Sequence, residues 1–137
     1  MYGAILIPVA DDVPARTDAA ISTARALLAP GGTLTLLHVL EHIPAYVETY
    51  IPETLRGRAH ADAVEMLAGI AARDGGGPMR QNVSMGHGAG GILDFAKAHD
   101  IDCIVISSHR PEFQDVFFGS TAASVVRHAP CSVHVLR

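Results

Sequence analysis

Apolar positions along this chain fall into two alternating patterns, short unbroken runs and stretches of helical spacing. Ala4–Val9 (AILIPV) is a continuous run of strand length, as a strand buried on both faces requires. Pro8 sits near its end, where a missing N–H is tolerable. After the loop Asp11-Asp12-Val13-Pro14, residues 15–28 carry Ala19, Ala20, Ala24, Leu27 and Leu28 at helical spacing. Pro30-Gly31-Gly32 predicts the stop of that helix. Thr33–Val39 (TLTLLHV) reads as a second strand, and residues 40–52 as a longer loop holding Tyr46 and Tyr50. From Glu53 to Ala72, Leu55, Ala59, Ala63, Met66, Leu67 and Ile70 mark one face of a long helix. Gly75-Gly76-Gly77-Pro78 ends it. Gln81–Met85 predicts a short third strand, Gly86–Gly91 a turn, and Ile92–His99 a helix with Ile92, Leu93 and Ala96 inward. Ile101–Ser107 is a fourth strand, residues 120–128 a last helix, and Ser132–Leu136 a fifth strand.

Strands alternating with helices in this way predict an α/β fold. The expectation is one domain over 1–137, an open parallel five-stranded sheet with right-handed crossovers and helices on both faces. No internal repeat, low-complexity tract or linker divides the chain.

Composition narrows the function classes. Apolar content of 49% with 18% charged residues is that of a globular chain. A net charge of -4 and a pI near 6.0 argue against a general nucleic-acid or membrane-surface partner. No apolar run approaches the roughly 20 residues of a membrane span. The N-terminal MYGAILIPVADD has no basic region or cleavage site, so a cytoplasmic location is expected. Cys103 and Cys131 lie in apolar strand contexts and read as reduced core residues.

The chemistry concentrates in the last quarter. The apolar run Ile104-Val105-Ile106 gives way to Ser107-Ser108-His109-Arg110, and a short loop leads to Gly119-Ser120-Thr121-Ala122 at a helix start. The first turn of a helix has free N–H groups and the positive end of the dipole, which suits an anion, phosphate above all. The hydroxyls of Ser120 and Thr121 add donors. Arg110 can pair with phosphate bidentately, and His109 can donate to it. The plain alternatives are an ordinary N-cap and a solvated polar loop.

Gly119-Ser120, then Val126-Arg127-His128-Ala129-Pro130-Cys131, then Val133-His134-Val135-Leu136 together resemble the universal stress protein family. Its nucleotide-binding branch carries G-x-x-G, nine residues, G-[ST], a helix ending R-H-A-x-C, and a V-x-V-[VL] strand. The second half matches. The first departs, since His109 and Ile106 stand where the two glycines fall. With one loop residue missing, Ser107 and Arg110 take those places. The Ser-His-Arg-Pro run is similar to one branch of the family. The resemblance implies strand order 3-2-1-4-5, which sets strands one and four side by side at a topological switch point. Ligands bind outside the carboxyl ends of strands there. It further implies an adenine nucleotide, ATP or AMP with or without magnesium, near Ala10–Pro14 and Ser107–Phe118. Pro8 and Val9 would offer backbone groups to an adenine edge, and Val39 would touch the ring. The family's Asp of strand one falls on Ala10 here, with Asp11 next to it as a substitute or as a solvated loop residue. The last strand, Ser132, Val133, His134, Val135 and Leu136, would be a sheet edge that pairs with its twin in a homodimer.

Other motifs carry less. Gly86-His87-Gly88-Ala89-Gly90-Gly91 fits G-x-G-x-x-G but lies at the third βα turn, with no acid about 20 positions on, so it reads as a flexible turn. His128, Cys131 and His134 straddle a helix end and a strand, so a metal is not expected. His38 reads as a satisfied core or rim residue. No nucleophile motif or general base stands out. The expected function is an adenine-nucleotide-binding regulator of the stress response, at most a slow ATPase. The rival reading is a nucleotide-free dimer that binds a protein partner, and the glycine-rich turn leaves an oxidoreductase as a third.

Overall fold

A computed structural model of the chain describes residues 1–108 and 119–137. Ten elements follow in order. They are β1 (Tyr2–Pro8), α1 (Pro14–Leu27), β2 (Leu28–Glu41), α2 (Ala45–Glu48), α3 (Glu53–Asp74), β3 (Arg80–Gly86), α4 (Gly88–Ala98), β4 (Cys103–Ser107), α5 (Ser120–His128) and β5 (Ser132–Leu136). The strands form one parallel sheet in the order β3-β2-β1-β4-β5. The α/β class, the parallel sheet and its strand order stand as expected.

Side-chain parity along the strands divides the core into two layers. Ile5 and Ile7 of β1, with Val9 just beyond it, join Ile21 and Ala24 of α1 and Leu67 and Ile70 of α3 on one face. Leu6, between them, joins Ile92 and Phe95 of α4 and Ala122 and Val125 of α5 on the other. This is why AILIPV is apolar at every position. Asp102 fastens β1 beside β4, because its carboxylate accepts the N–H groups of Gly3 at 2.9 Å and Ala4 at 3.0 Å.

Three sequence-based boundaries and one burial expectation are corrected. Pro30-Gly31-Gly32 does not separate α1 from a strand beginning at Thr33. The strand starts at Leu28, which pairs with Tyr2, and the register then jumps so that Ala4 pairs with Thr33. The extra residues leave the ladder, with Gly31 at φ +77°. A Cβ on Gly32 would lie 2.9 Å from the Gly3 carbonyl oxygen, so only glycine fits there. The loop 40–52 contains the single-turn helix α2. Four of the six residues Gly86–Gly91, expected as turn, belong to α4, which Gly88 opens. On α3, Ala63, Leu67 and Ile70 are buried, but Leu55 is 55% exposed and Ala59 is exposed, so the first turns overhang the sheet.

Cys103 is buried, and desolvation pushes its thiol pKa up to about 11. Cys131 is half-buried with its pKa raised for the same reason, and both cysteines are free thiols.

Candidate functional site

β1 and β4 are neighbours, with β2 beyond the one and β5 beyond the other, and a crevice opens outside their carboxyl ends. Its cavity measures about 330 Å³. The β1 end supplies Pro8, Val9, Ala10 and Asp11, and β2 supplies Val39. From β4 come Ile106, Ser107 and Ser108, and from the start of α5 come Gly119, Thr121 and Ala122. Eleven of the fourteen residues singled out by sequence therefore meet at one place. Ser120 is exposed on the first turn of α5 and is not among the walls. His109 and Arg110 lie outside the described residues.

The α5 end of the crevice is built for accepting negative charge. Gly119 is the N-cap, with φ -53° and ψ 145°, and its carbonyl accepts the N–H of Ala123 at 2.8 Å. Among the described residues no side chain caps the helix, and no acidic residue stands in its first turn. The N–H groups of that turn have no partner within the helix. Gly119 needs no special backbone conformation, and a Cβ there would meet no described atom within 4 Å.

Around the opposite rim, several polar groups are already engaged. The N–H of Val9 donates to the Leu37 carbonyl at 2.8 Å, and the Val9 carbonyl lies 2.7 Å from His38 Nδ1, which donates to it. The expectation that the Val9 backbone is open to an adenine edge is thus corrected for its N–H. It also accounts for His38 as a satisfied rim residue. Asp12 does not cap α1, whose N-cap is Val13 with no side-chain bond. Its carboxylate takes two bonds from Arg73 at 2.8 and 3.1 Å, and Arg73 also binds Asp18. The Arg73 hydrogen bond holds the Asp12 pKa below the ordinary carboxylate value. Asp11 is the loop carboxylate left on the crevice wall. Ser108, 8% exposed, donates both its N–H, at 2.9 Å, and its hydroxyl, at 3.2 Å, to the Leu136 carbonyl, tying the crevice floor to β5.

The glycine-rich turn has a packing role. A Cβ on Gly91 would sit 2.6 Å from Val39 Cγ1, and one on Gly86 would sit 2.9 Å from Gly91 Cα. These glycines let α4 lie directly on the sheet. The N–H of Gly88 is taken at 2.9 Å by Glu41 Oε1, whose other oxygen faces His87 Nδ1 at 3.5 Å. A carboxylate of the protein itself therefore holds the start of α4, where a dinucleotide site would hold pyrophosphate. Among the described residues, no three His, Cys, Asp or Glu side chains converge as a metal site.

Walls that sequence reasoning missed come from α1 (Arg16, Thr17), β2 (Leu37, Glu41) and α4 (Gly88, Ile92). Nothing in the local sequence of α1 marks Arg16 as facing a cavity. Only the packing of α1 over β1 and β4 brings it there.

The model of the universal stress protein family matches the chain over residues 1–137. The chain belongs to the universal stress protein family. Universal stress protein G of Shigella flexneri is 30% identical over 142 residues, with each chain covered in full. Universal stress protein UspA from Lactobacillus plantarum shares the fold at a TM-score of 0.68 and 30% identity, over 99% of this chain and 98% of that one. A universal stress protein from Archaeoglobus fulgidus, solved in complex with dAMP, superposes at a TM-score of 0.67 and 20% identity, over 99% and 98%. No helix among the described residues is long and apolar enough to cross a membrane.

Proposed function

We propose that the crevice binds an adenine nucleotide, ATP or AMP, with its phosphates at the first turn of α5, and that the protein is a cytoplasmic, ligand-sensing regulator of the stress response. The observation that carries this reading is the start of α5, uncapped among the described residues, which opens onto the same cavity as the apolar side chains of Val9 and Val39. An apolar shelf beside an array of N–H donors suits a flat base joined to an anion. Gly119 adds support. A Cβ there would meet no described atom within 4 Å, and the missing side chain leaves room for a ligand to approach the helix start. The dAMP held by the Archaeoglobus fulgidus protein is of the same ligand class. Ser107–Arg110, standing in place of paired glycines, would set this chain in a separate branch of the family. Magnesium would arrive with the phosphates of ATP. The reading includes a homodimer through β5, an edge strand whose Val133, Val135 and Leu136 are only half-buried.

The test is to heat-denature freshly purified protein, chromatograph what it releases, and titrate ATP and AMP into the wild type and Gly119→Val. Nucleotide near one per chain, with binding lost in a folded Gly119→Val, supports the proposal. Undiminished affinity in that variant removes the α5 assignment. No released nucleotide and no binding by wild type favours the partner-binding reading. Light scattering that gave a monomer mass at micromolar concentration would remove the dimer.

A further inference from the structure

We infer that Arg16, on the first turn of α1, is a phosphate-binding residue of the crevice, an inference that rests on the nucleotide reading above. Arg16 lines the cavity and is half-buried. Arg25 pairs with Asp74, Arg56 with Glu48, and Arg73 with Asp12 and Asp18. Arg58, Arg80, Arg127 and Arg137 are exposed. Arg16 is the half-buried arginine that has no ion pair among the described residues. The two acids nearest to it along α1, Asp12 and Asp18, are both held by Arg73. Of the carboxylates on the crevice wall, Glu41 is engaged by the Gly88 N–H and faces His87, and Asp11 makes no bond to Arg16. A partly desolvated guanidinium without a counter-charge is unfavourable unless a ligand supplies one.

Helix stability gives no reason for a cation at this position. α1 has no side-chain cap and no acidic residue in its first turn. A positive side chain there opposes the helix dipole. Among the described residues, the crevice therefore collects two uncapped helix starts, α1 and α5, and one unpaired guanidinium around about 330 Å³. A phosphate dianion answers that charge, and arginine binds it with two parallel N–H donors. The nucleoside portion has no such charge, so Arg16 would discriminate AMP from adenosine.

The experiment is calorimetric titration of AMP and of adenosine into the full-length wild type, Arg16→Gln and Arg16→Lys. Arg16→Gln should weaken AMP about tenfold to a hundredfold and leave adenosine unchanged, the range of one charge-assisted contact. Arg16→Lys, which keeps a point charge without the fork, should fall between. Ligand-free Arg16→Gln should melt no lower than wild type, since the change relieves a cation at the positive end of the dipole. Equal loss of AMP and adenosine affinity, or AMP binding unchanged in Arg16→Gln, overturns the inference and leaves the nucleotide reading intact. A wild type that binds neither ligand overturns both.

Discussion

Gly91 and Gly90 lie side by side in α4 and meet different surroundings, which makes them a controlled pair. A Cβ on Gly91 would lie 2.6 Å from Val39 Cγ1 and 3.2 Å from Val39 Cγ2, whereas one on Gly90 meets no described atom within 4 Å. Carbon atoms in good contact sit about 3.5–4.0 Å apart. Val39 is β-branched and stiff at χ1, so it cannot swing aside without leaving its rotamer. Relief requires α4 to lift from the sheet, and overpacking of this kind costs about 1–3 kcal/mol. Glycine to alanine within a helix by itself gains up to about 1 kcal/mol at either site. Propensity therefore cancels between the two variants. Gly91→Ala should be less stable than Gly90→Ala by about 1–3 kcal/mol. Urea unfolding at equilibrium measures this directly, provided both variants keep the wild-type m-value. Combining Gly91→Ala with Val39→Ala should recover part of the loss, because the new methyl then occupies vacated space. Equal stability of the two alanine variants would refute the packing role and reopen the glycine-rich turn as a ligand loop.

Two further outcomes follow from burial and charge. Leu67, fully buried on α3, should cost about 2–5 kcal/mol on truncation to alanine, while Leu55→Ala on the overhanging turns should stay within about 0.5 kcal/mol by the same urea assay. Similar losses at both positions would mean that the first turns of α3 are covered in solution. Arg73 depresses the Asp12 pKa, so that pair contributes stability above the unfolded-state value, and the contribution is lost as pH falls through the folded one. The stability advantage of wild type over Asp12→Asn should accordingly hold above about pH 5 and shrink as pH falls through the ordinary carboxylate value of about 3.9 and below it, and a constant gap would count against the ion pair.

Hydrophobic periodicity alone carried the fold class and most elements of this protein. Ser120–His128 and Ser132–Leu136 have the bounds that sequence predicts, because Gly119 and Pro130 punctuate apolar patterns of different period. The continuous run in β1 announced a strand covered on both faces. Most of the crevice was legible for the same reason, since the ends of β1 and β4 and the start of α5 carry turn and cap residues that stand out locally. The strand order came from family resemblance and not from periodicity.

What sequence could not show depends on distant partners. Leu28 becomes strand because Tyr2 lies beside it, in spite of the helix-stop signal two residues later. The start of α4 is helical because Glu41, 47 positions away, accepts the Gly88 N–H. The glycines there serve Val39 on another strand. Arg16 is a crevice residue only once α1 has packed, and among the described residues it has no ion pair because Arg73 of α3 holds the nearby Asp12 and Asp18. Local pattern determined which segments are helix or strand and where the chain turns. Tertiary structure decided which charges are spent and which are left facing the cavity, because ion pairing and steric contact act between residues that the linear order keeps apart.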